Sequence, residues 1–371
     1  MAAAGIVAEY NPFHTGHAYQ IARTRAAAGE DCAVVAVMSG NWVQQAGCAI
    51  TDKWNRARLA LMGGVDLVLE LPTVWACASA EWFAWGAMSI LRAAGAQAIS
   101  FGSESGDNAA LAALSLCLDS GRFQAELRRF LEQGLPFAAC RQAAADALLG
   151  QDVAACLTRP NDNLAVEYLK AARRLNWTPQ ILAIPRVGAG HDGGAHPELP
   201  SASFLREEIL AGRLEAGNPA ALKYNERGIL TRLRAMDLPD FEALPDSGEG
   251  LARRLYQAAR RAVTLEEVYA QTKTKRYAHA RIRRLVLWAA LGLRAADRPS
   301  SPPYLRVLGA NDRGWAALKA IDTDLPIITK PAHGRGIALM ELEARCTDFY
   351  GLCRRHICPC GWEWTHSPVI L

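Results

Sequence analysis

Within its first hundred residues the chain sets four short apolar runs, Gly5–Tyr10, Ala33–Met38, Val65–Leu71 and Ala98–Phe101, between longer stretches of mixed polarity. Runs this short, without polar alternation, fit strands buried on both faces of a sheet. The stretches between them, near His17–Ala28, Lys53–Met62 and Ala80–Ala94, are amphipathic and long enough to serve as the crossovers that parallel strands require. The pattern predicts a βαβ series and a Rossmann-like α/β fold. A fifth run, Gln180–Ile184, extends the sheet after helices expected within Asn108–Gly150 and over Leu164–Leu175. Pro200 and Ser201 then open a further helix, Ser203–Leu210, behind a loop carrying Gly188, Gly190, Gly193 and Gly194.

The sheet domain is therefore expected to span 1–215. From 216 to 371 Leu, Ala and Arg dominate, and a mostly helical second domain is expected, in keeping with two domains for 371 residues. Hydrophobic residues make up 51% and charged residues 21%, a globular balance with no apolar run long enough to span a bilayer. Met1-Ala2-Ala3-Ala4 leads straight into a strand without the basic segment of a signal peptide, so a cytoplasmic protein is expected. The ten cysteines follow no framework and should remain thiols.

Chemistry concentrates where the first strand ends, in Asn11-Pro12-Phe13-His14-Thr15-Gly16-His17. Ligands of open parallel sheets sit beyond the carboxyl ends of the strands, and a helix N-terminus offers phosphate its unpaired N–H groups and positive dipole. His14 and His17, three apart at a helix start, can project to one side and donate to phosphate oxygens. Gly16 lets backbone approach closely. The bland alternative has one histidine capping the helix and the other packing on the sheet. Ser201-Ala202-Ser203-Phe204-Leu205-Arg206 repeats the theme, with hydroxyls at a helix start and an arginine one turn in, suited to a triphosphate or departing pyrophosphate, although an ordinary capped helix has the same letters.

An HxGH motif after the first strand and a serine-rich loop ending in Arg206 resemble the nucleotidyltransferase superfamily. Longer strings are similar to the tRNA(Met) cytidine acetate ligase family: Gly5-Ile6-Val7-Ala8-Glu9-Tyr10-Asn11-Pro12-Phe13-His14, Val37-Met38-Ser39-Gly40-Asn41, Val65-Asp66-Leu67-Val68-Leu69-Glu70-Leu71-Pro72 and Phe101-Gly102-Ser103-Glu104. So are Arg186-Val187-Gly188-Ala189-Gly190, Lys273-Thr274-Lys275-Arg276-Tyr277, Arg281-Ile282-Arg283-Arg284 and Tyr304-Leu305-Arg306-Val307-Leu308-Gly309, which carry the resemblance over most of the chain. The segment Gly190-His191-Asp192 is shorter than the family's equivalent.

The resemblance implies an enzyme that forms acetyl-adenylate from acetate and ATP and acetylates N4 of the wobble cytidine, position 34, of elongator tRNA(Met). By matching position it places ATP along Val7-Ala8-Glu9-Tyr10-Asn11-Pro12-Phe13-His14-Thr15-Gly16-His17-Ala18-Tyr19-Gln20, with further contacts from Gly102, Asn161 and Arg186. Asn161-Asp162-Asn163 leaves that register open by one or two residues. The reaction needs no protein nucleophile; positioning and charge neutralisation suffice. His14 and His17 are assigned to the α/β-phosphates, Ser203 and Arg206 to pyrophosphate, and Mg2+ to the phosphates, with no metal ligand from the protein.

From Gln271 to Arg294 the charges are Lys273, Lys275, Arg276, Arg281, Arg283, Arg284 and Arg294, with no acidic residue. This stretch is the expected tRNA contact, with Tyr277 as a stacking surface, in place of a merely solvated helix face. Lys53, Arg56 and Arg58 either extend the patch or form the solvent face of a crossover helix. Cys346, Cys353, Cys358 and Cys360 with His356 and His366 lack the paired CxxC spacing of zinc sites. Trp75, Trp82 and Trp85 fit a core better than a stacking platform. Two other functions suit the first domain: an adenylyltransferase for a small phosphorylated metabolite, with no use for the basic half, and a nucleotide- and RNA-binding protein without catalysis, which would release no pyrophosphate.

Overall fold

The computed structural model describes residues 2–185 and 201–371. Its main sheet contains β1 (Ala3–Ala8), β2 (Ala33–Ser39), β3 (Leu67–Leu71), β4 (Ala98–Ser103), β5 (Gln180–Pro185), β6 (Leu305–Ala310), β7 (Ile327–Ile328) and β8 (Val369–Ile370). They lie in the order β8-β6-β3-β2-β1-β4-β5, with β7 beside β6. The first five strands are mutually parallel, as their apolar runs predict; β6 enters antiparallel to β3.

Alternation along β2 divides the core. Val34, Ala36 and Met38 pack with Ile21 of α1 (Thr15–Ala28) and with Trp54, Ala57 and Leu61 of α2 (Lys53–Met62). Val35 and Val37 face the other layer, which includes Phe83, Met88 and Leu91 of α3 (Ala80–Ala93) and Val166 of α4 (Pro160–Arg174). Three helices, Asn108–Leu118, Gly121–Leu131 and Phe137–Leu149, fill the expected insertion. After the undescribed segment comes α5 (Ala202–Leu210), capped by the Ser201 hydroxyl, which accepts from Phe204 N at 3.2 Å.

The portion from 216 on is mostly helical, but it also returns three strands to the sheet, which the sequence reading lacks. Its helices share a core with the sheet domain. Trp288 Nε1 donates to Cys77 O at 2.7 Å, Trp42 Nε1 to Cys346 O at 3.0 Å, and the Tyr350 hydroxyl to Ala49 O at 2.9 Å. No described helix is long and apolar enough to cross a membrane.

Two basic residues of α2 correct the surface reading. Lys53 and Arg56 are fully buried; only Arg58 of the three is exposed. Lys53 Nζ lies 2.6 Å from both Glu70 Oε1 and Glu363 Oε2, and Arg306 Nε lies 3.9 Å from Glu363 Oε1. Burial disfavours the Lys53 ammonium, but Glu363 and Glu70 outweigh it and raise its pKa above the ordinary value. Arg56 donates to carbonyls of Thr51, Glu9, Ser39 and Gly40, tying together the chain leaving β1 and β2.

Candidate nucleotide-binding site

Beyond the carboxyl ends of β1 and β4, where neighbouring crossovers diverge, lies a cavity of about 360 Å³. Its walls come from the end of β1 through α1, the turn at Gln44 and Gln45, Phe83 of α3, the ends of β4 and β5, and the starts of α4 and α5. Its lining combines apolar side chains, among them Phe83, Phe101, Leu164, Tyr168 and Ile184, with the polar His14, His17, Asn11, Ser203 and Arg206. Apolar side chains together with a set of donors are the combination that a nucleobase followed by phosphates requires.

His14 is the N-cap of α1, as the capping alternative has it, and it lines the cavity as well. Its Nδ1 accepts from Gly16 N at 3.1 Å, while His17 Nδ1 accepts from His14 N at 3.2 Å. An Nδ1 that accepts leaves Nε2 to carry the proton of each neutral ring, which makes both imidazoles Nε2–H donors. The rings stack with centroids 3.8 Å apart, and Tyr10 meets His17 edge-on at 4.9 Å. Gly16 serves this arrangement directly: a β-carbon there would lie 2.9 Å from His14 Cε1. Tyr10 itself adopts φ 46°, a left-handed conformation uncommon for a bulky residue and typical of constrained functional turns.

Across the cavity, Arg206 Nη1 donates to Asn11 O at 2.7 Å and Nη2 donates to Ser203 Oγ at 2.9 Å. The first of these bonds joins the two motifs across 195 positions. Burial lowers the Arg206 pKa, with Glu9 and Glu207 opposing the shift. Glu9 accepts from Gln44 N at 2.7 Å and from Ser39 Oγ at 3.4 Å, and burial pushes its carboxyl above the usual range.

At the β4 edge, Glu104 accepts from the N–H groups of Asn161 and Asp162, while Asp162 accepts from Ser103 Oγ and from the N–H groups of Glu104 and Ser105. This exchange fixes Gly102 and Asn161 on the cavity wall. Asn163 is engaged elsewhere, accepting from Arg141 Nη1 at 2.5 Å, and of the three residues Asn161–Asn163 it is Asn161 that lines the cavity. Of the expected contacts, Val7, Ala8, Glu9, Tyr10, Asn11, His14, Gly16, His17, Tyr19, Gln20, Gly102 and Asn161 line the cavity; Pro12, Phe13, Thr15 and Ala18 do not. Phe13 instead meets Tyr10 edge-on at 5.2 Å. Arg186 and His191 lie outside the described residues. Gln44 and Gln45, which also line the cavity, escaped the sequence reading because they sit in a turn without a motif.

The basic stretch divides. Lys273, Lys275 and Arg276 are exposed, although Lys273 Nζ donates to Thr274 O and Tyr277 O. Arg281 pairs with Glu249 at 2.9 Å, and Arg283 and Arg284 are half-buried. Tyr277 is not a stacking surface: it is buried, with its hydroxyl donating to Glu249 O. Trp75 is core, Trp82 is half-buried beneath the Arg298 guanidinium, and Trp85 Nε1 donates to Ser300 O. Among the described residues, no group of three or more His, Cys, Asp or Glu side chains is arranged to hold a metal ion.

The sheet order, the histidine pair at a helix start and the facing Ser–Arg helix define a nucleotidyltransferase site, and the model of the HIGH Nucleotidyl Transferase family matches residues 1–360. Two tRNA(Met) cytidine acetate ligases, from Caldicellulosiruptor saccharolyticus and Listeria monocytogenes, are 35% and 36% identical to this chain. The first match covers 95% of this chain and 94% of the relative, and the second covers 95% of each. A crystal structure of Thermotoga maritima TmcAL bound with alpha-thio ATP superposes with a TM-score of 0.87 at 30% identity over 100% of both chains. The chain belongs to the tRNA(Met) cytidine acetate ligase family of HIGH nucleotidyl transferases.

Proposed function

We propose that this chain joins acetate to ATP as acetyl-adenylate and transfers the acetyl group to N4 of the wobble cytidine of elongator tRNA(Met). The observation that carries the reading is the pair of Nε2–H imidazoles at the start of α1, which share with Arg206 and Ser203 a cavity also lined by apolar side chains. The base would lie against the apolar side chains, bordered by Gly102 and Asn161, with Arg186 as a further contact carried over from the family.

An acetate oxygen attacks the α-phosphorus, the bond from that phosphorus to the bridging oxygen breaks, and pyrophosphate leaves with the electron pair. His14 and His17 donate to the α/β-phosphate oxygens as charge develops, and Arg206 with Ser203 receives the pyrophosphate. The cytidine N4 then attacks the acetyl carbon, the carbon–oxygen bond to AMP breaks, and N4 loses one proton. The cavity's polar lining includes imidazoles, a guanidinium and hydroxyls, with Glu9 its carboxylate, a donor set suited to phosphate oxygens. Mg2+ fits as an ion held by the nucleotide's own phosphates, where it would neutralise charge. The exposed Lys273, Lys275 and Arg276 would meet tRNA phosphates.

The test is pyrophosphate release from ATP with and without acetate and bulk tRNA, followed by mass spectrometry of tRNA nucleosides. Acetate-dependent release with N4-acetylcytidine is the expected result. Release without dependence on acetate or tRNA would replace this reading with a metabolite adenylyltransferase, and nucleotide and tRNA binding without release would remove catalysis.

A further inference from the structure

A second cavity, of about 420 Å³, adjoins the nucleotide cavity and shares Asn11, Gln45, Ser203 and Arg206 with it. Its far wall is built by the helical half, through Tyr269 and Arg283. We propose that this cavity receives the pyrimidine base of the acceptor cytidine, turned out of its strand, and presents its exocyclic amine to the acyl-adenylate across the Asn11–Arg206 wall. The inference rests on the acetyl-transfer reading, since that reaction requires the acceptor to enter beside the adenylate.

Three observations support it. The Tyr269 side chain is buried, and neither its hydroxyl nor Arg283 Nε has a hydrogen-bond partner among the described residues. Buried groups left so are costly, and a ligand bearing both acceptors and donors would supply their missing partners. The Arg283 guanidinium carbon lies 5.7 Å from the Tyr269 ring centroid, so an aromatic ring and a guanidinium, the two kinds of group on which extruded bases are held, stand together on this wall. The charge of the walls excludes a phosphate pocket: Glu207, Glu226 and Glu266 offset Arg206, Lys223 and Arg283. A neutral base that offers a ring nitrogen and a carbonyl as acceptors next to an amine donor matches such mixed walls. Arg283 is thereby reassigned from a phosphate contact on the surface to a base contact inside.

The test uses Tyr269→Phe and Arg283→Gln in the full chain, with acetate-dependent ATP–pyrophosphate exchange and tRNA acetylation measured on the same preparations. The expected result is at least a tenfold fall in acetylation relative to exchange, while the Tyr269→Phe melting temperature stays level or rises because an unpartnered buried hydroxyl has been removed. A purely structural tyrosine would lower both activities together, and an unchanged ratio in both variants would overturn the proposal. A second measurement is independent of catalysis: an anticodon stem-loop carrying 4-thiouridine at the wobble position is irradiated on the wild-type protein and the cross-linked peptide mapped. Cross-links within residues 47–50, 220–226 or 265–269 are expected; cross-links elsewhere, or none, refute the pocket. Absence of acetate-dependent exchange in the wild type would instead sink the acetyl-adenylate reading, leaving the cross-link to decide the pocket.

Discussion

Replacing Lys53 with methionine would leave two carboxylates in the core without their shared cation. Glu70 and Glu363 each lie 2.6 Å from Lys53 Nζ, and all three side chains are at most 1% exposed. At an effective dielectric of about 20, a contact of that length amounts to roughly 6 kcal/mol of attraction, set against several kcal/mol of desolvation per ion. Deleting one partner of a buried pair typically destabilises by about 3–5 kcal/mol, and a stranded Glu70 beside a Glu363 left with Arg306 and the Thr347 hydroxyl places Lys53→Met within that range. At roughly 2.1 cal/mol/K per residue, a chain this long melts with an entropy near 0.8 kcal/mol/K, so calorimetry at pH 7.5 should show a melting temperature lower by about 4–6 °C. The deficit should shrink as pH falls, because protonating Glu70 removes the stranded charge. Lys53→Met/Glu70→Gln should recover at least half of it. A fall under 1 °C that does not change with pH would refute the account of the cluster.

Glu343, whose carboxyl accepts from Thr73 N and Oγ1, is pushed by burial and then by Glu70 from an ordinary value near 4.5 to about 8. The folded chain therefore holds a proton that the unfolded chain releases between those values, so this group's contribution makes stability fall as pH rises through that window, by at most about 1.4 kcal/mol per pH unit. Glu343→Gln should flatten the slope in melting curves taken from pH 5 to 8; an unaltered slope would assign it to other groups. Removing a donor from the site of developing charge costs about 3–4 kcal/mol, so His17→Ala should lower acetate-dependent pyrophosphate exchange by two to three orders of magnitude, and near-normal exchange would release His17 from its role. Lys275→Ala/Arg276→Ala should weaken tRNA binding and reduce the slope of log affinity against log salt by about one per charge removed, read by filter binding. An unchanged slope would place the tRNA elsewhere.

The parts of the fold written locally were legible. β2 is apolar at nearly every position because both its faces are covered, and Lys53–Met62 was read with the boundaries it has. β6 was not read as a strand, since Arg306 interrupts its apolar run; the partners that make that arginine compatible with the core, Glu363 and the carbonyls of Ile328 and His366, all lie further along the chain. The same distance hid the burial of Lys53, while Arg56 is buried among backbone carbonyls of Glu9, Ser39, Gly40 and Thr51, which no letter pattern announces; the spacing of the two looks like a basic helix face. The histidine and Ser–Arg motifs were visible as letters, whereas the Arg206–Asn11 bond that unites them depends on the folded topology. Tyr277 shows the converse error: an aromatic among cations reads as a stacking surface until tertiary structure supplies Glu249 O as its partner.

The buried cluster also bears on synthesis. Lys53 precedes Glu363 by 310 positions. At about 5–20 residues per second, a ribosome would take roughly 15–60 s to deliver the second carboxylate after the ammonium. Through that interval the nascent nucleotide-binding half has Glu70 available but must leave Lys53 incompletely matched, and the edge of β3 stays open until β6 is made. Completion of the nucleotide-binding half thus waits on segments translated long after it, so a pause or stop codon before Glu363 would release a half-domain with an unfinished charge cluster, a ready client for chaperones.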